Sequence, residues 1–485
     1  MNNDRTVAVI GAGVAGLSAA SYLARQGCAV KVFEAASTAG GSCADTNVAG
    51  YVFNQGAQYL ILPAMLDHVF AKLGSDRARA LPLRRVSTPQ TVFLADGTAI
   101  TLGENLRVAS SNARIDTSLA QEELKRMVDR WQPLLRVLLD DDVLRGPLSY
   151  RTLLEKSWMH LPKFVRTLEA ELHALFSDPL FRTSMAGLLL FAGAHPRQLP
   201  APSIIALVSM LADGMALPEG GMGRIPEALQ ETLRQNGGEL FLNSEVKRIV
   251  LRNGRVSAVE VEGHGNTEIQ SVISTASAFI TYGTLLPVDQ QPKRLRRRVQ
   301  RAPLSVKAFC LQLGLSNVID TGSHLNYVIP SMEHLGQYFA PRSSRFAYGY
   351  YSVPTVVMPE LAPQGGSIVE LYSAIRSDEP ASDWDEGRSR NVADSATRWL
   401  AHRHELRIVA TRIRSPRDFQ QQLRLHQGAV YGLSPTAGAF GLFPHRSQIP
   451  GLFLAGQTTY PGFGIPTSAL SGIYSANALL SAGHD

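Results

Sequence analysis

Hydrophobic residues at the start of the chain follow first the period of a strand and then that of a helix. The apolar run "VAVI" (Val7 to Ile10) predicts a buried strand. The next segment, "LSAASYLARQG", has the spacing of an amphipathic helix that ends at Gly27. A second apolar run, "AVKVFE", closes on Glu34. The pattern therefore predicts a complete βαβ unit.

The hydrophobic period changes several times further along the chain. Residues 82–102 predict two strands around a turn at Asp96-Gly97, and residues 115–215 have helical spacing. Strands and helices alternate again from 218 to about 415, and residues 449–480 predict a strand, a Gly/Pro-rich loop and a helix. Mixing of the two periods throughout indicates an α/β protein.

These blocks predict a discontinuous Rossmann-like dinucleotide-binding domain, a mixed-sheet substrate domain and a helical lid. We assign residues 1–60, 218–290 and 415–485 to the first, 61–104 and 291–414 to the second, and 105–217 to the lid.

Composition narrows the class of protein. The chain has 485 residues, 45% of them hydrophobic and 18% charged, which is typical of globular domains. The chain lacks the run of about eighteen apolar residues that would predict a transmembrane helix. The polar segment before Val7 does not have the pattern of a signal peptide, so we expect none there. Three scattered cysteines lack metal spacing and predict neither a metal site nor a disulfide framework. We expect a cytoplasmic protein.

Positive charge is concentrated in "KRLRRRVQR", residues 293–301, within a chain of net charge +6. One interpretation is a solvated helix face, and the other is peripheral contact with an anionic membrane surface. Nucleic acid is disfavoured as a partner because no aromatic residues are interleaved with the basic ones. The first two interpretations both stay open.

The glycines between the first strand and helix have G-x-G-x-x-G spacing. Gly11 suits a tight turn, Gly13 a close approach of backbone to a pyrophosphate, and Gly16 close packing of helix on strand. The helix N-terminus attracts the phosphates. Glu34 ends the second strand, 23 residues after Gly11, where a carboxylate accepts hydrogen bonds from ribose hydroxyls. This predicts dinucleotide binding.

A second glycine pair, Gly40-Gly41, follows the acidic residue, and "NQGAQ" follows soon after. Together with "LPEGGMGRIPEAL", "GGELFLNSEVKRIVL" and "GLFLAGQTTYPGFGIPTSALSG", it resembles the phytoene desaturase, carotenoid isomerase and retinol saturase group of FAD enzymes. That group lies within the flavin amine oxidase superfamily. The similar segments cover roughly half of the chain, in the order expected for the group.

The resemblance implies FAD as the cofactor. It implies that Val246 meets the adenine through its backbone and that Gly56 to Gln58 lie near the isoalloxazine. Ser42 departs from the arginine of the amine oxidases, and Gln457 from an acid frequent in the group. The complete set of expected cofactor residues is Gly11, Gly13, Ala15, Gly16, Glu34, Gly40, Gly41, Ser42, Gly56, Ala57, Gln58, Val246, Gly456, Gln457, Gly464 and Ile465.

The implied function is that of an FAD-dependent desaturase or dehydrogenase, which passes a hydride from a lipophilic or polyene-like substrate to flavin N5. A redox-neutral isomerase uses the same type of pocket. The alternative is an FAD oxidase that acts on a smaller amine, imine or natural-product intermediate and releases hydrogen peroxide. A third class is a flavin- or lipid-binding carrier without turnover.

Lys307 is the residue on which the oxidase alternative depends. It lies in the apolar segment "PLSVKAFCLQLGL", and the related amine oxidases have a lysine near flavin N5 on a comparable strand. A shift of one residue would turn it away from the flavin. The simpler interpretation is an edge-strand lysine that points to solvent. Tyr431 and Tyr460 are candidates to line the substrate pocket, and His426 is a candidate proton relay.

Overall fold

The computed structural model describes residues 5–87, 90–144, 163–189, 192–329 and 349–482, with the single residues 146, 155 and 331. A five-stranded, all-parallel sheet lies at its centre. In spatial order its strands are Glu239–Phe241, Ala29–Phe33, Thr6–Ile10, Ser271–Ser274 and Leu452–Leu454.

Both faces of the parallel sheet are buried, which explains the nearly continuous apolar runs of its strands. Val7 and Val9 pack among the helices Val14–Arg25, Arg224–Gln235 and Ile465–Ser481. Ala8 and Ile10 point the other way, toward a three-stranded antiparallel sheet. The strands of that sheet are Val246–Arg252, Arg255–Val261 and Gly265–Glu268.

A second large sheet has eight strands and is mixed. Its spatial order is Ile408–Arg414, Lys307–Leu315, Ser367–Ile375, Gly349–Ser352, Leu325–Ile329, Gln90–Leu94, Ala99–Leu102 and Val108–Ser110. Neighbouring strands are antiparallel except Leu325–Ile329 beside Gln90–Leu94. Helix Glu386–Ala401 covers one face, where Phe309, Leu311 and Leu313 pack against Trp384.

Helices dominate the middle of the described chain, as the periodicity predicts. They are Thr117–Leu138, Asp141–Leu144, Leu168–Leu175, Pro179–Leu188 and Ile205–Ala212. The remaining helices are Pro63–Leu73, Arg77–Ala80, Ala278–Ile280, Lys293–Arg301, Pro416–Gln422 and Gly438–Gly441. Two short strand pairs complete the fold, Asp45–Val48 with Tyr51–Asn54 and Leu83–Val86 with Met215–Pro218.

The predicted α/β class and the first βαβ unit are confirmed. The turn at Asp96-Gly97 joins Gln90–Leu94 to Ala99–Leu102, with Gly97 at φ 84°. All five strands of the parallel sheet come from the three segments predicted to form the dinucleotide-binding domain. The exact domain boundaries stay a prediction. Within the described ranges, no helix combines the length and apolar character needed to cross a membrane.

Candidate functional site

A cavity of about 1280 Å³ is lined by residues from both large sheets. Ligand pockets for small molecules usually measure roughly 300–1,000 Å³, so this cavity has room for a dinucleotide and a second molecule. Gly11, Glu34, Thr275 and Gly456, which lie just beyond the carboxyl ends of parallel strands, all line it. Ligands of open α/β sheets bind at this edge.

Glycine is present at the three positions of the first motif for different structural reasons. Gly11 adopts φ +93° in the turn, and a Cβ on Gly16 would lie 1.9 Å from the Gly11 carbonyl oxygen. Gly13 has φ −72°, which any residue can adopt, and a Cβ there would meet no protein atom within 4 Å. Packing of the protein therefore explains Gly11 and Gly16 but not Gly13. The open space beside Gly13 fits a ligand that approaches the backbone.

The second glycine pair lies directly beside the first motif. Gly13 and Gly40 form a parallel bridge, and the Gly40 N–H donates to the Ala12 carbonyl oxygen at 2.9 Å. Gly40 and Gly41 have φ values of +122° and +55°, in the left-handed half of the map, where glycine is favoured. The two motifs therefore form one continuous wall of bare backbone.

Two helices begin at the cavity, and their N-termini suit an anionic ligand. Val14–Arg25 follows Gly13, Ile465–Ser481 follows Gly464, and no side chain caps either N-terminus. Their first-turn N–H groups lack intrahelical acceptors, and the helix dipoles favour negative charge there. The Glu34 carboxylate is oriented by the N–H groups of Ala12 at 2.7 Å and Ala36 at 2.9 Å. An ionised carboxylate has about four acceptor positions, so Glu34 can still accept from ribose hydroxyls.

The structure brings nearly all of the expected cofactor residues to this one cavity. Gly16 lies behind Gly11 and does not line it. The members of the expected set that do line it are Gly11, Gly13, Ala15, Glu34, Gly40, Gly41, Ser42, Gly56, Ala57, Gln58, Val246, Gly456, Gln457, Gly464 and Ile465. This backbone cradle, with its helix termini and carboxylate, fits the diphosphate and ribose of FAD. The individual contacts to FAD stay predictions.

Aromatic side chains form the part of the cavity wall that faces the mixed sheet. Tyr327, Tyr350 and Tyr372 are directly paired across three neighbouring strands. Their ring centroids are separated by 5.5 Å and 5.7 Å in stacked geometry. Tyr350 and Tyr372 line the cavity, as do Tyr431 and Phe463, whose rings stack at 4.1 Å. Aromatic rings in the wall offer an apolar surface for an unsaturated ligand.

Lys307 lies in the mixed sheet, in the strand next to Ile408–Arg414. It is fully buried in an internal strand, so the solvent-exposed interpretation is wrong. Strand alternation places it on the same face as Phe309, toward helix Glu386–Ala401, and its Nζ donates to the Glu379 carbonyl oxygen. Burial lowers the pKa of Lys307. Lys307 borders the cavity, but its ammonium is held at Glu379, and Ala308 has the cavity-facing position.

The three other candidates have different surroundings. Tyr431 lines the cavity as predicted, and burial raises its pKa to about 12. Tyr460 differs from the prediction, because its ring stacks on Tyr474 at 6.0 Å and is not part of the cavity lining. His426 lines the cavity, stacks on Phe279 at 5.2 Å, and has a pKa lowered by burial and by the charge of Lys307.

A cluster of buried polar residues beneath the Gly56–Gln58 wall was not anticipated from the sequence. Asn54, Gln312 and Glu370 are buried, and the partly exposed Arg412 joins them through hydrogen bonds. The sequence does contain an indication of this cluster. In "SIVELYSAI" and "AFCLQLGL", a glutamate and a glutamine interrupt otherwise apolar strands. Buried charged residues are rare unless they are paired.

Comparison with known proteins agrees with this site. The family model for "Flavin containing amine oxidoreductase" matches residues 14–480. A zeta-carotene-forming phytoene desaturase of Myxococcus xanthus is 27% identical, over 99% of this chain and 95% of that protein. A 4,4'-diapophytoene desaturase (4,4'-diaponeurosporene-forming) of Staphylococcus aureus is 26% identical, over 95% of both chains.

Similar solved structures show the same fold. A putrescine oxidase bound to putrescine superposes with a TM-score of 0.64 at 15% identity, over 99% of each chain. An oxidoreductase from Methanosarcina mazei superposes with a TM-score of 0.63 at 16% identity, over 99% of this chain and 100% of that chain.

The different environments of Gly13 and Gly16 predict different outcomes for the same substitution. Gly13→Ala should fold normally but bind FAD at least about ten-fold more weakly, which is about 1.4 kcal/mol, because the new methyl group fills the ligand's space. Gly16→Ala should lose about 1–3 kcal/mol of folding stability or more, because its methyl group meets the Gly11 carbonyl.

Flavin titration and thermal unfolding of the flavin-free proteins measure the two effects separately. Wild-type flavin affinity in Gly13→Ala, or wild-type stability in Gly16→Ala, would contradict this description of the cradle.

Proposed function

The chain belongs to the flavin-containing amine oxidoreductase family, and from this membership we propose that it is an FAD-dependent desaturase of a long polyene or isoprenoid chain. The protein is an FAD-dependent oxidoreductase. The relatives named for phytoene and diapophytoene desaturation match nearly the full length of the chain. This supports a lipophilic substrate over a small amine.

The aromatic wall of the cavity is the observation that carries the proposal. Tyr350, Tyr372, Tyr431 and Phe463 line the cavity, and Ala308 and Ala374 line it beside them. A hydrocarbon chain is bound by shape and apolar contact and needs few polar partners. An amine would need a charge partner or hydrogen-bond acceptor. The buried ammonium of Lys307 donates elsewhere, to Glu379, and offers no support for amine chemistry.

A flavin held at Gly13 and Gly40-Gly41 would supply the two-electron oxidation that converts a single bond of the chain into a double bond. The protein's own residues bind and orient the chain. Burial raises the pKa of Tyr372 well above the usual tyrosine value and that of Tyr431 to about 12, so both phenols stay neutral at physiological pH. Neutral, stacked rings hold an apolar chain without placing a charge beside it.

Anaerobic single-turnover mixing tests the proposed function. One panel contains detergent-dispersed C30 and C40 isoprenoids and polyenes, and the other contains soluble amines and imines. We expect bleaching of the flavin band, with a new conjugated product, only in the first panel. Bleaching by an amine or imine would contradict the proposal, and isomerised product without bleaching would indicate the redox-neutral reaction.

Lys307→Met separates the desaturase from the oxidase alternative. We expect the variant to bleach its flavin with the same polyene at a rate within about two-fold of wild type, equivalent to about 0.4 kcal/mol in the activation barrier, because the ammonium lies on the opposite sheet face. The measurement is stopped-flow absorbance of the flavin. A loss of a hundred-fold or more, about 2.7 kcal/mol, in a normally folded variant would restore a catalytic role for Lys307.

We further propose that helix Lys293–Arg301 contacts an anionic membrane surface, from which such a substrate is drawn. Lys293, Arg294 and Arg297 are exposed, while Leu295 is buried and anchors the helix in a core that includes Leu285. Leu285 lines the cavity. Clustered basic residues are attracted to anionic lipid by about 1 kcal/mol each, so the helix would hold this side of the cavity near the bilayer.

Vesicle flotation tests the membrane contact. The wild-type protein should float with phosphatidylglycerol-containing vesicles at low salt but not with pure phosphatidylcholine vesicles. The triple variant Lys293→Gln, Arg294→Gln, Arg297→Gln should stay unbound, while Arg252→Gln with Arg255→Gln, on a hairpin, serves as the charge control. Equal flotation of the triple variant and wild type would exclude this helix as the contact.

A further inference from the structure

Glu370 lies at the centre of the polar cluster beneath the cavity wall. It is fully buried on strand Ser367–Ile375. Arg412, Gln312, Glu370 and Ser352 are paired directly across four neighbouring strands, so they share one sheet face. The aromatic row is the next one on the same face: Tyr372 comes two residues after Glu370, and its partner Tyr350 comes two residues before Ser352. A polar row and an aromatic row therefore lie side by side on the face toward the cavity.

The hydrogen bonds around Glu370 are directed by Arg412. An arginine can only donate, so the bond of Arg412 Nη1 to Gln312 Oε1 at 2.9 Å fixes the orientation of the Gln312 amide. Gln312 Nε2 must then donate, and it reaches Glu370 Oε1 at 2.7 Å and the Asn54 carbonyl oxygen at 2.7 Å. The Asn54 backbone N–H donates to the same carboxylate oxygen at 2.9 Å. Oε1 thus accepts two unambiguous hydrogen bonds.

The same cluster holds the segment that follows Asn54. Arg412 Nη2 donates to Gln55 Oε1 at 3.0 Å, and Arg414 Nη1 donates to the Gln55 carbonyl oxygen. Gly56, Ala57 and Gln58 come next and line the cavity. The acceptors of these two arginines are Gln312 and Gln55, and Gln312 in turn donates to the Glu370 carboxylate. The buried Glu370 carboxylate therefore supports this part of the cavity wall, and the Gln312 side chain connects it to Arg412.

We propose that Glu370 is a positioning residue, which as a buried anion fixes the Asn54–Gln58 segment and sets the electrostatic environment of the flavin against that wall. The proposal rests on the proposed function only in requiring a flavin in this cavity. A buried negative charge opposes the addition of electrons to a nearby cofactor, and a nearby positive charge favours it, more weakly where solvent screens it, as at the partly exposed Arg412. Glu370 and Arg412 should therefore have opposite effects on the reduction potential of the flavin.

Burial and hydrogen bonding act oppositely on the carboxyl group itself. Burial raises the pKa of Glu370, and the hydrogen bonds from Asn54, Gln312 and Gln58 offset this only in part. The donors at Oε1 favour the ionised form, since they are best satisfied by an acceptor. A glutamine in this position can keep the bonds that Oε1 accepts, and the Asn54 and Gln58 amides can rotate by 180° to suit the new NH2 group. Glu370→Gln therefore removes the charge with little change in shape.

The test measures the flavin reduction potential and the absorbance spectrum of the bound flavin in Glu370→Gln and Arg412→Gln. We expect the potential to move in the positive direction in the first variant and in the negative direction in the second, with a shifted flavin band in both. Unchanged potentials, or shifts of the same sign, would overturn the proposal. If Glu370→Gln does not fold, the sign of the Arg412→Gln shift still decides it.

Glu171 provides a matched control. It is also buried, and it pairs with Arg130 at 2.6 Å and Arg166 at 3.0 Å in the helical region, away from the cavity lining. Glu171→Gln should lower thermal stability and leave the potential and spectrum unchanged. An equal spectral shift in Glu171→Gln would reduce Glu370 to a structural role. A wild-type protein that binds no flavin would overturn the proposed function together with this inference, whereas flavin binding with unshifted variants would overturn the inference alone.

Discussion

The contact between Gly16 and the Gly11 carbonyl determines where the rest of the cavity lies. Only a residue without a Cβ allows the helix Val14–Arg25 to approach the first strand this closely, because a methyl group would stand 1.9 Å from that oxygen. The close approach brings the helix N-terminus to the carboxyl edge of the parallel sheet. Gly40 then bridges to Gly13, and the unfilled space beside Gly13 becomes the place for an anionic ligand.

The mixed sheet supplies the second wall of the cavity, which has an aromatic row and a polar row of side chains. Pairing in register across its strands puts tyrosines in one row and hydrogen-bonding residues in the next. The tyrosine row is open to the cavity and suits a hydrocarbon chain. The polar row is covered by the segment Asn54–Gln58 and holds it in place. Substrate binding and cofactor positioning thus depend on the same strand register.

Much of the nucleotide side of the site could be predicted from the sequence, because its chemistry is local. The glycine spacing, the helix start and Glu34 all lie within one βαβ unit, and their geometry follows from that unit alone. The second glycine pair and the C-terminal segment could be assigned to the cofactor site only through the family resemblance. Both line the same cavity.

The substrate side could not be predicted in the same way, because it depends on long-range pairing. The face that Lys307 occupies is decided by the register of its strand with Ser367–Ile375, and a shift of one residue reverses it. Tyr350 and Tyr372 meet only when strands distant in sequence pair. Glu370 is a charged residue in an apolar strand, but its donors come from residues 54 and 312, which the sequence does not connect with it.

The most direct test of the central claim is a crystal structure of the protein with FAD and a non-reactive polyene analogue. The account predicts the diphosphate against Gly13 and Gly40-Gly41, with the polyene extended along the rings of Tyr350 and Tyr372. A polyene bound outside this cavity, or a diphosphate that does not touch the two glycine motifs, would contradict it.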